Sequence, residues 1–373
     1  MLQKSAIVIG AGIVGLAAAR AFALKGYQVR VFERHPKAVG ASVRNFGMVW
    51  PIGQPMGALY ARALRSRHIW AELAQTGAFY CSQTGSLLAA RLPEEMAVLE
   101  AFLEKDGRAA AQLLNPEQAL EKSPALRRDG LLGALWSTDE LIVDPREAIR
   151  MLPAVLHAQF GVEFHFGQAV SRVEHPRVWV GRQPYEADLI LICSGQDFET
   201  LFPEEYAAAP LTKCKLQMMR THPQRNGWNL GASLSAGLTL THYKAFAGLP
   251  GLEILQTLYS DLYPEQIRWG IHVLVSQNGA GEITLGDTHE YGHDLDPFDQ
   301  QSLNDLVLDY LREFAQFPDM RIAESWNGTY AKSTEGATEI ILHPEPGVVI
   351  VNGLGGAGMT LSFGLLEEIA ARL

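Results

Sequence analysis

The amino-acid sequence predicts an α/β fold. A doubly wound, Rossmann-like nucleotide-binding domain is interleaved with a mixed-sheet α+β domain. Three observations carry this. The chain opens on strand, glycine turn, helix, strand (SAIVIGAGIVGLAAARAFALKGYQVRVFE). It closes on strand, glycine-rich loop, helix (GVVIVNGLGGAGMTLSFGLLEEIAARL). Between them lie runs that alternate like antiparallel strands, so the two ends meet around an inserted sheet. Residues 1–80, 140–210 and 320–373 are expected to form the nucleotide-binding domain. Residues 81–139 and 211–319 are expected to form the second domain.

Each element follows from local chemistry. SAIVI is short, apolar and β-branched, as a buried parallel strand should be. GLAAARAFALKG is built on Ala and Leu and stops at Gly26. YQVRVFE is the second strand, and parallel pairing with the first demands the helix as a crossover. Apolar stripes predict helices over residues 57–77, 93–106, 144–160 and 300–316. Residues 161–181 alternate like antiparallel strands, and DLILICSG is a fully apolar strand ending in glycine. KLQMMRTH, LTLTHYKAF, IHVLVSQNG and EITLGD read as further strands.

Composition excludes several classes. The chain carries 31 Lys and Arg against 41 Asp and Glu, a net charge of −10, with no basic run. That argues against nucleic acid or an anionic membrane as a partner. Cys81, Cys193 and Cys214 form no C-x-x-C pair. An odd, sparse set suits a reducing, cytoplasmic setting and no thiolate metal site. No apolar run is long enough to span a bilayer, and the N-terminus reads as the first strand rather than a signal peptide. Asp287, His289, Glu290 and His293 do not have H-E-x-x-H spacing and read as a polar loop, so no metal is expected. No G-x-S-x-G elbow or P-loop lysine occurs.

The opening motif GAGIVG carries the first chemistry. Gly10 allows the sharp turn, Gly12 lets backbone approach a pyrophosphate, and Gly15 lets the helix pack on the sheet. Ile13 and Val14 begin that helix, whose N-terminus offers N–H groups and a positive dipole end to phosphates. Glu33 ends the second strand, 18 residues past Gly15. Its carboxylate accepts from ribose hydroxyls and repels a 2′-phosphate, which disfavours NADP even with Arg34 next to it. The competing reading is a glycine-rich helix start without a ligand, and the flanking strand, helix and acid argue against it.

The choice between NAD and FAD rests on residues 40–51 (GASVRNFGMVWP) and 353–360 (GLGGAGMT). With these segments the chain resembles the FAD-dependent amine and amino-acid oxidases of the D-amino-acid oxidase superfamily, of the glycine oxidase and monomeric sarcosine oxidase type. The resemblance runs over most of the chain. It is strong at both ends and over residues 161–195, and thin over 80–140 and 220–280. It implies FAD as cofactor. By resemblance, Glu33 and Arg34 meet the adenosine ribose. Ala41, Ser42, Arg44, Asn45, Phe46, Gly47 and Met48 belong to the loop along the pyrophosphate and flavin. Val170 meets adenine through its backbone, and Ser194 and Gly195 lie beneath the cofactor. Gly355, Gly356, Ala357, Gly358, Met359 and Thr360 form the loop at the flavin's pyrimidine end. The helix after that loop would aim its N-terminus at the ring edge where negative charge develops on reduction.

The resemblance also implies hydride transfer from the carbon bearing nitrogen, giving an imine, with dioxygen taking the electrons. In glycine and D-amino-acid oxidases the strand matching residues 324–336 reads Gly-x-Arg-Pro, and its Arg pairs with the substrate carboxylate. Here the frame reads Gly328-Thr329-Tyr330-Ala331, which puts simple α-amino acids in doubt. Gly328 stands where sarcosine oxidase has its flavin-linking cysteine, so the flavin should be non-covalent. Tyr330 is a catalytic or substrate-contact candidate. His289, in TLGDTHEYG, is the candidate to orient the substrate or take a proton. His242 and Tyr243, expected on a strand, and Arg44, which would pair with an anionic group, are substrate-binding candidates. The RNFGM and GDTHEYG stretches resemble a subfamily associated with aminophosphonates. The expected substrate is therefore a small primary or secondary amine: an amino acid, an N-methyl amino acid or an aminophosphonate. Two alternatives compete: an amine dehydrogenase that passes electrons to a quinone or protein, and a flavin-binding protein without turnover.

Overall fold

The computed structural model describes residues 3–373. Its first elements are strand β1 (Ser5–Ile9), helix α1 (Ile13–Leu24) and strand β2 (Gln28–Glu33). β1 and β2 pair in parallel with α1 as the crossover. β1 lies inside a six-stranded sheet of order Ile340–Leu342, Val348–Asn352, Leu189–Ile192, β1, β2, Glu163–Phe166. Its neighbours are parallel except for the first pair.

Alternate residues of these strands face two cores. Ala6, Val8, Leu189 and Leu191 pack with α1 and with the helices Pro145–Phe160 and Gly358–Arg372. Ile7, Ile9, Ile190 and Ile192 pack with Val170 and Val178 of a three-stranded antiparallel sheet. Both faces are covered, so the strands are apolar throughout instead of alternating.

Among the described residues the largest sheet has nine strands. Its spine is Leu211–Thr221 paired antiparallel with Ile322–Ser333, which sets Cys214 opposite Tyr330 and Leu216 opposite Gly328. Ile283–Gly286 also pairs with Leu211–Thr221, and Leu274–Gln277 pairs with Ile283–Gly286. By its hydrogen bonds Ile322–Ser333 belongs to this sheet, beyond the boundary drawn at residue 320 from the sequence.

The expected helices are present as Ala58–Ala74, Pro93–Asp106, Pro145–Phe160 and Gln301–Phe314. Two strand expectations change. Glu163–Phe166 is a parallel edge strand beside β2, because the helix before it returns the chain in the same direction; only Val170–Glu174, Arg177–Val180 and Gln183–Glu186 form the antiparallel meander. LTLTHYKAF is not a strand. Thr239–His242 is one helical turn and Lys244–Phe246 another, so His242 and Tyr243 sit on a bend. Leu238, Leu240 and Phe246 are buried in the same core as Tyr310 and Leu311. A run this short satisfies an alternating and a helical pattern equally well. No helix of the described residues is long and apolar enough to cross a membrane.

Candidate active site

The C-terminal ends of the parallel strands form the floor of a cavity of about 680 Å³, reached by Gly10, Glu33, Ser194, Gly195, Asn352 and Gly353. Open parallel sheets place their ligand sites at this edge. The nine-stranded sheet supplies the roof, through Leu216, Met218, Leu274 and Gly328 to Lys332.

The floor is made of backbone. A Cβ on Gly10 would stand 2.4 Å from the Cys193 carbonyl oxygen, and one on Gly15 would stand 1.8 Å from that of Gly10. Only glycine permits this turn, with Gly10 at φ +104°. The first turn of α1 opens on the cavity at Gly12, Ile13 and Val14. Ser42 Oγ accepts a hydrogen bond from Ile13 N at 2.9 Å, which fastens the 40–51 loop to that turn. Glu33 lines the cavity, but its carboxylate is also a latch: it accepts from Ala11 N at 2.9 Å and from His35 N at 3.0 Å. A carboxylate has about four lone-pair sites, so acceptor capacity remains for ribose hydroxyls. Arg34 forms an ion pair with Asp197, and both line the cavity, as Val170 does.

Asn45 ties its own loop together. It donates to the carbonyls of Ala41 and Ser42 and accepts from Gly47 N at 2.8 Å. Phe46 and Met48 line the cavity. Gly15 and Gly47 are the two expected cofactor residues that do not line it. They let its walls close, since a Cβ on Gly47 would stand 1.8 Å from the Val143 carbonyl oxygen. At the far end, Gly355–Ala357 leads into the helix Gly358–Arg372, whose start also opens on the cavity. Met359 O accepts from Trp70 Nε1, and Thr360 Oγ1 accepts from Trp50 N. Ser194 and Gly195 are held from behind by Tyr206 and Asn352.

Arg44 lines the cavity and is tied at two of its nitrogens. Its Nε donates to Val39 O and its Nη1 to Asn327 O, both at 2.9 Å, so it straps floor to roof. Gly328 makes this approach possible, because a Cβ there would stand 3.2 Å from Arg44 Cβ. Ser276 Oγ, donating to Phe46 O at 2.7 Å, is a second strap.

The roof is made of side chains. Tyr330 is half-buried and lies against the glycine loop: a Cβ on Gly356 would stand 3.6 Å from its Oη. Burial pushes its hydroxyl well above the usual range. Next to it, His242, His272 and His289 come together from three separate segments. Ring centroids are 3.9 Å apart for His242 and His272 and 4.8 Å for His242 and His289. Beside them sits Asp287, buried and also lining the cavity, with Oδ1 3.5 Å from His272 Nε2 and Oδ2 3.9 Å from His289 Nε2. Burial and the neighbouring imidazoles hold His242 and His272 well below the usual histidine range, so both are neutral at neutral pH. Burial raises the Asp287 carboxyl. His289 Nδ1 lies 2.9 Å from Gly270 O, a contact that places the ring proton on Nδ1 and leaves Nε2 as an acceptor.

Sequence reasoning missed His272 and the role of Asp287. His272 sits inside the apolar run Ile271–Val275, and a histidine there was the available signal. The ligand nitrogens of the three rings spread over as much as 4.8 Å. Four ligands around a zinc-sized ion stand about 3.3 Å apart. His272 and His289 also stack, with ring planes 25° apart.

The family model for FAD dependent oxidoreductases (DAO) matches residues 5–372. The chain belongs to that family. FAD is therefore the cofactor, and the donor set fits it: a glycine cradle without room for side chains, two helix starts facing one cavity, and an acid at the end of β2. Solved structures with the same fold include glycine oxidase from Geobacillus kaustophilus (TM-score 0.76, 19% identity, covering 99% of this chain and 94% of that one). L-proline dehydrogenase from P. horikoshii has TM-score 0.76 and 20% identity, with 99% and 92% covered. Iminodiacetate oxidase from Chelativorans sp. BNC1 has TM-score 0.72 and 21% identity, with 98% and 95% covered. Among curated proteins, a D-amino-acid oxidase of Streptomyces coelicolor is 35% identical over 108 residues, 29% of this chain and 31% of that protein. One component of the anaerobic glycerol-3-phosphate dehydrogenase of Escherichia coli K12 is 31% identical over 160 residues, 42% and 29% respectively. The chain spans under a third of the length of the curated relatives it matches. This FAD-dependent oxidoreductase thus shares its whole fold with the solved structures and only stretches of sequence with the curated relatives.

Proposed function

We propose that this enzyme oxidises a small primary or secondary amine at the carbon next to nitrogen, with dioxygen as the final electron acceptor. The observation that carries the reading is the cluster of three imidazoles, His242, His272 and His289, gathered in the roof of the cavity that Tyr330 and the glycine loop also line. An ammonium cannot release hydride until it loses a proton, so a site for amines benefits from neutral bases. Bound FAD supplies the acceptor for that hydride and hands its electrons on.

The residues divide the remaining work. His289 Nε2 accepts the amine proton, giving an imidazolium and a neutral amine. His242 and Tyr243 shape the wall; Tyr243 packs on Trp50 with ring centroids 4.6 Å apart. Tyr330 bounds the space over the glycine loop and keeps water from the reacting carbon. The imine that forms is released and hydrolysed by water to a carbonyl compound and an amine or ammonia. The names of the solved neighbours, glycine oxidase and iminodiacetate oxidase, support an amine substrate. Amino acids, N-methyl amino acids and aminophosphonates are the classes to try.

L-proline dehydrogenase matches the fold as well as glycine oxidase does, which favours a dehydrogenase as the second reading. An anaerobic panel of the three amine classes, read by loss of flavin absorbance, tests the first step. Bleaching by at least one amine is expected, and bleaching by none overturns the reading. Peroxide on admission of air then supports the oxidase, and its absence supports the dehydrogenase.

A further inference from the structure

We propose that Asp287 is a positioning residue that completes a buried proton relay: it holds the roof histidines and balances the charge when His289 takes a proton from the substrate amine. The proposal rests on the amine reading above. Its geometry stands by itself. Asp287 is buried, and its Oδ1 has no hydrogen-bond partner among the described residues; His272 Nδ1 has none either. A buried carboxylate with an empty lone pair is a costly arrangement unless a positive charge visits it.

The distances fit a visiting charge. At 3.5 and 3.9 Å the carboxylate oxygens stand too far from His272 Nε2 and His289 Nε2 for a hydrogen bond at rest, yet within ion-pair range. A positive charge on His289 stands within ion-pair range of Asp287, with Nε2 3.9 Å from Oδ2, while Nδ1 stays on Gly270 O. The step is balanced. The ammonium N–H bond breaks, a bond from Nε2 to that proton forms, the amine keeps the electron pair, and the site gains one ion pair.

No other group nearby does this job. The remaining titratable groups facing Asp287 are His242, Lys332, Tyr243, Tyr291, Tyr330 and Cys214. Lys332 is the one resident cation among these; its Nζ donates to Tyr291 Oη at 2.9 Å, and its charge favours the Asp287 carboxylate. The other five carry no negative charge at neutral pH. Asp287 is the one carboxylate among them, so the stability of a charged His289 depends on it.

The test uses the FAD-loaded protein and a readout that needs no substrate. Histidine side chains labelled with 15N are titrated by NMR in wild type and in Asp287→Asn. Removing the carboxylate should lower the midpoint at which His289 takes its second proton by about one pH unit, a tenfold weaker base. Asp287→Glu should recover most of that shift. An unchanged midpoint in Asp287→Asn overturns the proposal. If Asp287→Asn does not hold FAD, Asp287→Glu and His272→Asn in holoprotein carry the test. There the longer acid must keep the His289 midpoint near its wild-type position while the lost His272 neighbour moves it, and a midpoint unmoved in His272→Asn overturns the proposal. With a bleaching amine, Asp287→Asn should slow anaerobic bleaching by up to about tenfold, in step with the weaker base. Its acid limb should move to lower pH, because a weaker base stays neutral further down. Failure of the amine reading shows separately, as wild-type flavin that no amine bleaches.

Discussion

The two walls of the cavity are built from opposite materials. The floor uses backbone: glycines at 10, 12 and 15, a helix start, and a carboxylate that latches two loops. The roof uses side chains: three imidazoles, a buried acid and tyrosines carried by strands and bends far apart in sequence. A wall of backbone fits one shape and carries little chemistry of its own. A wall of titratable side chains can be retuned residue by residue without disturbing the shape beneath it. Floor and roof should therefore fail in different ways.

The largest effect is expected on the floor. Gly15→Ala puts a methyl 1.8 Å from the Gly10 carbonyl oxygen, and α1 must move to relieve it. Purified protein should hold less than about a tenth of the wild-type FAD, since overpacking of backbone leaves no flexible neighbour to give way. Flavin absorbance against protein absorbance measures this. Full FAD content would break the comparison at once.

The roof should show the reverse. His289→Asn should keep its full FAD and lose roughly 100- to 10,000-fold in anaerobic bleaching rate, the usual range for a proton acceptor. Equal loss of FAD and of rate would mean that the two walls are not separable.

The seam between them offers a stability test. Glu140 is fully buried and accepts from Ile52 N at 2.9 Å and Ser86 Oγ at 3.2 Å, joining the chain after the 40–51 loop to the roof sheet. Burial raises its carboxyl to about 7. A raised acid favours the protonated fold, so its contribution is full below pH 4.5 and is lost as pH rises to about 7. The shift corresponds to roughly 3 kcal/mol. Denaturant titrations at pH 5, 6 and 7.5 should show that decline in wild type, and Glu140→Gln should flatten it.

The smallest effect is expected at the strap. Arg44→Met removes the hydrogen bonds to Val39 O and Asn327 O. At about 1 kcal/mol for each bond, FAD binding should weaken by roughly ten- to thirtyfold, with the bleaching rate of loaded enzyme nearly unchanged. Calorimetric titration of the apoprotein with FAD measures it. A larger fall in rate than in affinity would return Arg44 to the substrate.

The same contrast decides what was legible in the sequence. Gly10, Gly12, Gly15 and Glu33 are dictated by a turn that is local in the chain, so their spacing is readable. The closing loop Gly355–Thr360 is readable for the same reason. The roof is not local. His242, His272 and His289 meet only because the chain bends at Thr239–His242 and two strands of the roof sheet run side by side. LTLTHYKAF alternates well enough to pass for a strand, and tertiary packing of Leu240 and Phe246 overrides that pattern. Tyr330 was found through resemblance to a frame that carries arginine elsewhere. Asp287 looked like one acid of a polar loop, although it is buried.

The central claim is that the roof presents an amine so that hydride leaves the carbon bonded to nitrogen. Its most direct test is anaerobic rapid mixing of FAD-loaded wild type with a bleaching amine, with and without deuterium at that carbon. The flavin absorbance should fall several-fold more slowly with the deuterated amine. Identical rates with the two amines, in a reaction limited by flavin reduction, would contradict it.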